Sequence, residues 1–248
     1  MITIESLITF YNIKRKKEKT DGAKAKIFTK IGRELAVAVK EGGGSDPNSN
    51  SKLKDCIAKA KACNVPNDNI ERIIKKAAGE TDGEKFESIV YEGYGPCGVA
   101  VIVEALTDNR NRTAGDVRHY FDKSGGNLGT VGCVSFMFEQ KGMLIVDKEG
   151  RNEDTVMEDS LEAGASDFQT DGDVFVIETA PEDFSAVLDA LTNKGYEFIS
   201  AEVEMVPSTY TEITDDEIAV KMQKLLDSLE DNDDVQNVWH NWENPLDA

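Results

Sequence analysis

Two arginines stand close together where the sequence predicts the start of a helix, in the segment TDNRNRTAGDVRHYFDKSGGNLG at residues 107–129. The planar guanidinium groups of Arg110 and Arg112 offer parallel N–H donors that match phosphate oxygens. Backbone N–H groups at a helix N-terminus also favour anions. The segment therefore indicates a phosphate contact. An alternative interpretation is a capped turn, with Asp108 or Thr113 as the N-cap and the arginines in surface ion pairs.

A run of basic residues near the N-terminus is the second candidate for phosphate binding. Such side chains neutralise the phosphates of a nucleic acid, and the neighbouring Phe10 and Tyr11 are suited to stacking on unpaired bases. The basic residues continue onto the first predicted helix. The alternative is a solvated terminus without a ligand. The candidate residues are Lys14, Arg15, Lys16, Lys17, Lys19, Lys24, Lys26, Lys30 and Arg33.

Catalytic and cofactor motifs are absent from the sequence. It contains no GxSxG, HExxH or Walker motif, and neither His119 nor His240 has an evident nucleophile beside it. The four cysteines form no CxxC pair, so we expect reduced thiols rather than a zinc site. The glycines of GGNLG follow a predicted helix, which indicates helix termination rather than nucleotide binding. The sequence thus predicts a protein that is not an enzyme and needs no cofactor or metal.

Charge is distributed unevenly along the chain, which has a net charge of −19. Residues 1–80 contain 17 Lys/Arg and 10 Asp/Glu, for a net charge of +7, whereas residues 81–248 contain 11 and 37, for −26. Such a polarised chain can present its basic end to a polyanion while the acidic part is held away from it. The acidic part is also suited to contacts with basic proteins. The alternative is that each part is solubilised by its own charge.

The sequence predicts no membrane contact, because no stretch of about 18 apolar residues occurs. The N-terminus, MITIESLITFYNIKRKK, places its positive charges after the short apolar part. A secretory signal has them before the apolar part. We therefore expect a cytoplasmic protein.

Apolar residues at helical spacing predict three helices in the first third of the chain. The first lies in KIFTKIGRELAVAV and the second at about residues 51–63. The third follows Asn67, a candidate N-cap, and has Ile70, Ile73, Ile74 and Ala77 on one side. Glycines of EGGGSDPNSN separate the first helix from the second. The sequence therefore predicts a basic helical domain over residues 1–83.

Beyond this domain the pattern changes to β-rich runs that alternate with helices. ESIVYEGYG and GVAVIVEAL are predicted strands joined by the tight turn GPCG, and CVSFMFEQ and GMLIVDK are predicted to be two further strands. From GMLIVDK to FISAEVEMVP the order is β-α-β-β-α-β, which is that of a ferredoxin-like fold. The elements before this segment lack a closing helix and strand, which the residues after Pro207 supply.

We therefore predict an α+β fold with three lobes. An N-terminal helical domain is followed by two ferredoxin-like α+β domains, one inserted in the other. The predicted domains are residues 1–83, residues 84–138 together with 208–248, and the inserted residues 139–207.

Four long segments carry a resemblance to a known family. They are KIFTKIGRELAVAVKEGG, VPNDNIERIIKKAAGE, YEGYGPCGVAVIVEALTDNRNRTAGDVRHYFDKSGGNLGTVGCVSFMFEQKG and DSLEDNDDVQNVWHN. Over about residues 12–243 the chain resembles the YebC family of bacteria, which includes the mitochondrial translational activator of cytochrome oxidase. The resemblance implies three domains, with a helical domain first, and a cytoplasmic factor that is not an enzyme.

The resemblance also implies a nucleic-acid target. Members of the family have been described as DNA-binding transcriptional regulators, and as translation factors that bind the ribosome and relieve stalling at proline runs. We expect a translation factor whose basic helical domain contacts ribosomal RNA, and a regulator that binds duplex DNA is the alternative. Arg110 and Arg112 would make a second polar contact or hold the lobes in register.

One segment departs from the family pattern. The family has Gly-His-Ser-Lys-Trp before Asn-Ile-Lys, whereas here Phe10 stands at the position of the Trp, and the His and Lys are missing. Contacts that the family makes through this element are therefore not assigned to this chain. The basic run that follows is retained.

Overall fold

The computed structural model describes residues 21–79 and 86–246, with side chains from Ala25 onward. The chain divides into two compact units, Met1–Gly83 with Gln140–Glu204, and Glu84–Glu139 with Met205–Ala248. Each unit contains one four-stranded sheet, and the first also contains the N-terminal helices. The predicted α+β class is confirmed. The finer division into three domains stays a prediction.

The described elements run in the following order along the chain. The helices are α1 (Asp21–Glu41), α2 (Ser51–Ala62), α3 (Asn67–Gly79), α4 (Arg110–Ser124), α5 (Glu153–Ala163), α6 (Phe184–Asn193) and α7 (Asp216–Asp231). The strands are β1 (Glu87–Tyr94), β2 (Ala100–Thr107), β3 (Asn127–Leu128), β4 (Phe138–Asp147), β5 (Asp167–Asp171), β6 (Val174–Thr179), β7 (Ser200–Pro207) and β8 (Val235–His240). Every helix among the described residues is too short or too polar to span a bilayer.

In the first unit, helices α1, α2 and α3 share one apolar core, as their spacing predicted. The buried side chains include Ile31, Leu35, Leu53 and Ile70. Asn50 joins two of the helices, because its side chain accepts a hydrogen bond from the backbone N–H of Leu53 at 3.0 Å and so caps α2. The same side chain donates to the carbonyl oxygens of Ala38 and Gly44, both at 2.8 Å. One buried amide thus fixes the end of α1 against the start of α2.

The sheet of the first unit has the strand order β5-β6-β4-β7. Strand β6 pairs antiparallel with both β4 and β5. With α5 after β4 and α6 after β6, the element order and strand order are those of the ferredoxin-like fold that the sequence predicted. Both helices share an apolar core with the sheet.

Lys59 of α2 forms an ion-pair cluster that links three elements of this unit. Its Nζ lies 3.1 Å from Glu34 of α1 and 3.3 Å from Glu202 of β7, and its side chain is only 19% exposed. Burial alone would lower the pKa of Lys59, but the two carboxylates outweigh burial and raise it above its ordinary value. The ammonium group therefore stays charged between two helices and the sheet.

Two further polar contacts hold α2 against α6. Lys54 pairs with Asp189, and Ser185 donates a hydrogen bond to Asp55 at 2.5 Å. Burial raises the pKa of Asp55, and the hydrogen bond from Ser185 acts in the opposite direction. Together with Lys59, these contacts attach the helical part of the unit to its sheet.

The sheet of the second unit has the strand order β3-β1-β2-β8, and all three neighbouring pairs are antiparallel. Helices α4 and α7 share an apolar core with one face of this sheet. Its largest fully buried side chains are Trp242, Phe121 and Met222. The β1–β2 hairpin turns through Pro96–Gly98, where Cys97 has a positive φ of 56°.

The segment CVSFMFEQ differs from its predicted strand. Ser135–Met137 form a short 3-10 helix, and β4 begins only at Phe138 and continues through GMLIVDK as one strand. The third strand of the second sheet is instead the short β3. The reason lies in a carboxylate about 40 residues earlier in the chain, which binds the backbone N–H groups of this segment.

That carboxylate belongs to Glu92, which is 3% exposed. It accepts hydrogen bonds from the backbone N–H groups of Gly132 at 2.8 Å and of Val134 and Ser135 at 2.9 Å. Burial opposes ionisation, but the hydrogen bonds outweigh it and hold the pKa of Glu92 below its ordinary value. We call residues 129–137 the Glu92 loop. Because its N–H groups point at one carboxylate, the loop cannot pair as a strand.

Replacing Lys59 tests the attachment of the helices to the sheet. We expect Lys59→Met to lower the free energy of unfolding by about 3–5 kcal/mol, because Glu34 and Glu202 would keep their burial and lose their cation. Urea unfolding monitored by circular dichroism measures the change. Lys61→Met, on the exposed side of the same helix, is the matched control and should change stability by less than about 0.5 kcal/mol. Equal stability of the two variants would contradict this account.

Candidate nucleic-acid interface

Helix α1 carries basic side chains on the side opposite its core residues. Successive residues of an α-helix turn by about 100°, so Lys26, Lys30 and Arg33 share one side, while Ile31 and Leu35 face the core. Lys26 is exposed, and Lys30 and Arg33 are half-buried. Each of the three also has an interaction partner within the chain. We call these three residues the α1 basic face.

The side chains of the remaining basic candidates in the N-terminal region are not among those that the structure describes. Lys24 lies in the first turn of α1, but its side chain is not among those described. Lys14, Arg15, Lys16, Lys17 and Lys19 lie outside the described residues. Their contact with nucleic acid stays a prediction.

Helix α3 presents a second exposed basic side that the sequence-based site selection missed. Arg72, Lys75 and Lys76 are all exposed, and their spacing places them on one side of the helix. Arg72 donates a hydrogen bond to Asn69 at 3.3 Å, and Lys75 lies 3.4 Å from Glu71. Exposed ion pairs of this kind are weak and leave the cations accessible to a polyanion. The sequence signal for this side was the helical spacing of the three basic residues, which sets them apart from the apolar residues of the same helix.

The lysines of α2 are used differently. Lys54 and Lys59 are held in the contacts with α6 and β7 described above, and Lys52 lies 3.9 Å from Glu41. Burial of Lys59 separates it from any ligand at the surface. The lysines of α2 therefore serve mainly to join the helices to one another and to the sheet.

Arg110 and Arg112 lie within the first turn of α4, because the helix begins at Arg110. The N-cap is neither of the two predicted residues. It is Asn109, whose side chain accepts a hydrogen bond from the backbone N–H of Arg112 at 3.1 Å. Thr113 instead lies buried one turn into the helix.

Arg112 is bound to two aspartates of its own unit. Its guanidinium group donates to Asp108 at 2.8 Å and to Asp234 at 2.7 Å, and both contacts help to raise the pKa of Arg112. Asp234 is buried and also accepts hydrogen bonds from Thr113 at 2.8 Å and Thr107 at 3.2 Å. Arg112 thus ties α4 to the segment before β8. The capped-turn interpretation anticipated surface ion pairs for the arginines. Arg112 makes two such pairs, and one of its partners, Asp234, is buried.

The side chain of Arg110 is exposed and, unlike that of Arg112, makes no hydrogen bond or ion pair to any of the described residues. Its charge lies near the hydroxyl group of Tyr91, which is buried without a hydrogen-bond partner among the described residues. Burial raises the pKa of Tyr91, and the charge of Arg110 partly offsets this. Of the two arginines, Arg110 is therefore the one whose guanidinium group is accessible to an added anion.

A pH-dependent measurement tests the network around Asp234. Burial would raise the pKa of Asp234, but the hydrogen bonds from Arg112 and the threonines outweigh burial and lower it. The stabilising effect is therefore present above the ordinary aspartate pKa of about 4 and is lost as pH falls through the lowered value. We expect Asp234→Asn to reduce stability by about 2–3 kcal/mol at pH 7 and by progressively less below about pH 4.

Thermal unfolding between about pH 3 and pH 7 measures this dependence. The exposed neighbour Asp233 provides the matched control, because Asp233→Asn makes the same chemical change next to the network. A difference between wild type and Asp234→Asn that does not vary with pH would contradict the assignment.

Comparison with family models places both parts of the chain in one family. The model of the TACO1/YebC protein N-terminal domain matches residues 9–80, and the model of the TACO1/YebC second and third domain matches residues 86–242. A protein of Acetivibrio thermocellus named a probable transcriptional regulatory protein is 64% identical over 232 residues. The match covers 93% of this chain and 96% of that protein.

A second relative and a solved structure agree with this assignment. A probable transcriptional regulatory protein of Clostridioides difficile is 60% identical, over 94% of this chain and 97% of that protein. The crystal structure of a conserved hypothetical protein from Aquifex aeolicus has 46% identity and a TM-score of 0.82, and covers 92% of this chain and 94% of that chain. The chain therefore belongs to the TACO1/YebC family, as the resemblance indicated.

Proposed function

We propose that this chain is a cytoplasmic translation factor, without enzymatic activity, that binds ribosomal RNA through its basic helical part. The observation that carries the proposal is the α1 basic face, which lies opposite the helix core in the first 80 residues, whose net charge is +7. Phosphates of RNA supply the complementary charge. The basic run Lys14–Lys19 and Lys24 would add further phosphate contacts.

The strongly acidic remainder supports a selective rather than a general affinity for polyanions. Residues 81–248 carry a net charge of −26, which repels nucleic acid from most of their surface. Arg110 is a local exception and would add one phosphate contact at the start of α4, while Arg112 keeps the helix in place. The acidic surface would in turn suit basic ribosomal proteins. No cofactor is required.

The family supports the ribosome as the target. It includes the mitochondrial translational activator of cytochrome oxidase, and its members have been linked to relief of stalling at proline runs. A factor without catalytic residues would act by position, holding the reacting groups of a slow peptidyl transfer in a productive geometry. Such a role requires a rigid protein with a defined RNA-binding face. The ion pairs of Lys59 that join α1, α2 and the sheet of the first unit support such a role.

Charge reversal on α1 tests the proposal. We expect Lys26→Glu with Lys30→Glu to abolish co-sedimentation with bacterial ribosomes and to leave the circular dichroism spectrum unchanged. The matched control is Lys221→Glu with Lys224→Glu, which makes the same change in net charge on exposed residues of α7. In the wild type, the affinity should also fall steeply with salt concentration. Equal sedimentation of the two double variants would contradict the proposal.

A DNA-binding transcriptional regulator is the second candidate function. The relatives named above are called probable transcriptional regulatory proteins, and the exposed basic side of α3 could lie against a DNA backbone. Base recognition would also require side chains that reach base edges in the major groove. Reversal of Arg72 and Lys75 separates the candidates. Loss of sequence-selective binding to duplex DNA, with ribosome binding retained, would favour the regulator.

A further inference from the structure

The Glu92 loop exposes two large apolar side chains. Phe136 is 75% exposed and Val131 is 79% exposed, and they are the two most exposed large apolar side chains of the described residues. Both lie in the second unit, on the chain between β3 and β4. Single exposed apolar residues are common on protein surfaces. An aromatic ring at this level of exposure is notable here because the backbone that carries it is fixed.

Several contacts hold the Glu92 loop in place. Besides the three hydrogen bonds to Glu92, the hydroxyl group of Tyr94 donates to the carbonyl oxygen of Cys133 at 2.9 Å. Ser208 donates to the carbonyl oxygen of Met137 through its N–H at 2.8 Å and its hydroxyl at 3.0 Å. Val134, which lies between Val131 and Phe136 in the sequence, is fully buried. Phe136 is therefore presented from a defined backbone at little cost in conformational entropy.

The loop is also free of negative charge, in a part of the chain that is otherwise strongly acidic. No Asp or Glu occurs between Asp122 and Glu139, which makes residues 123–138 the longest stretch without a carboxylate in the sequence. Among the described residues, the carboxylate that hydrogen-bonds to the loop is that of Glu92, which is buried and held by three backbone N–H groups rather than exposed at the surface. A polyanion would meet less repulsion here than on the surrounding acidic surface.

The size of the apolar surface limits what it can bind. A stable protein–protein interface buries about 800 Å² on each partner, which two side chains flanked by glycine, serine and threonine cannot supply. A single aromatic ring is sufficient to stack on one unpaired base. The charge and the size of the loop surface therefore both favour a base over a protein.

We infer that Phe136 stacks on an unpaired nucleobase of RNA, with the Glu92 loop as its rigid support. This inference rests on the proposed binding to the ribosome, and it adds a contact in the second unit that does not depend on positive charge. The base would lie against the exposed ring, and Val131 would provide adjacent apolar surface on the same loop. Stacking tolerates any base, so sequence recognition is not required.

Ribosome binding by variants of the full chain tests the inference. We expect Phe136→Ala to weaken binding of the fluorescently labelled chain to purified bacterial ribosomes by about 5- to 100-fold, and Phe136→Tyr to retain binding. The slope of affinity against salt concentration should stay that of the wild type, because no phosphate contact is removed. Leu161→Ala, which truncates an exposed apolar residue of α5, is the control and should bind as the wild type does.

Photo-crosslinking identifies the partner of residue 136. A diazirine amino acid at this position should crosslink to ribosomal RNA in the ribosome complex. If the wild type binds but Phe136→Ala binds equally well, or the crosslink joins a ribosomal protein, the stacking inference is overturned and the proposed function stands. If the wild type does not bind ribosomes at all, the proposed function and the inference both fail.

Discussion

The organisation of the first unit depends on one charged side chain held away from water. Lys59 sits between Glu34 and Glu202, so a single ammonium group connects α1, α2 and β7. A mostly buried ammonium group is tolerated because it is paired, and loss of Lys59 would leave two mostly buried carboxylates without their cation. The cluster therefore fixes the orientation of α1 about its own axis. The core residues turn inward, and the α1 basic face lies on the opposite side of the helix, with Lys26 exposed and Lys30 and Arg33 half-buried.

Charge is separated along the sequence into a basic part and an acidic part. The helical part is basic and the remainder is acidic, so a polyanion would be attracted to one part of the chain and repelled by the rest. Within the acidic part, Arg112 is bound by Asp108 and Asp234, and so it stabilises the fold. The surfaces of this part that could meet a ligand include Arg110 and the Glu92 loop. A few contacts of different chemistry would make binding selective, since bulk charge alone would not be sufficient.

Much of the fold follows from local patterns, and its departures from prediction have long-range causes. Apolar spacing predicted α1, α2 and α3, and the alternation of strands and helices predicted the ferredoxin-like sheet, because each pattern lies within one element. The strand predicted in CVSFMFEQ was wrong because Glu92, about 40 residues away, binds its backbone N–H groups. The N-cap of α4 is Asn109 rather than Asp108 or Thr113, and only the geometry after β2 selects it. Lys59 is covered by a sheet whose first strand lies some 80 residues later in the chain. The spacing of apolar residues in α2 therefore showed only that Lys59 lies outside the apolar side of the helix.

The central claim is that this chain acts on the translating ribosome through its basic helical part. Toeprinting in reconstituted translation, on a message with several consecutive proline codons, tests it most directly. The account predicts that the stall signal falls when the wild-type chain is added and persists when Lys26→Glu with Lys30→Glu is added instead. A stall signal that the wild-type chain leaves unchanged, while the same preparation binds duplex DNA selectively, would contradict the account and favour a transcriptional role.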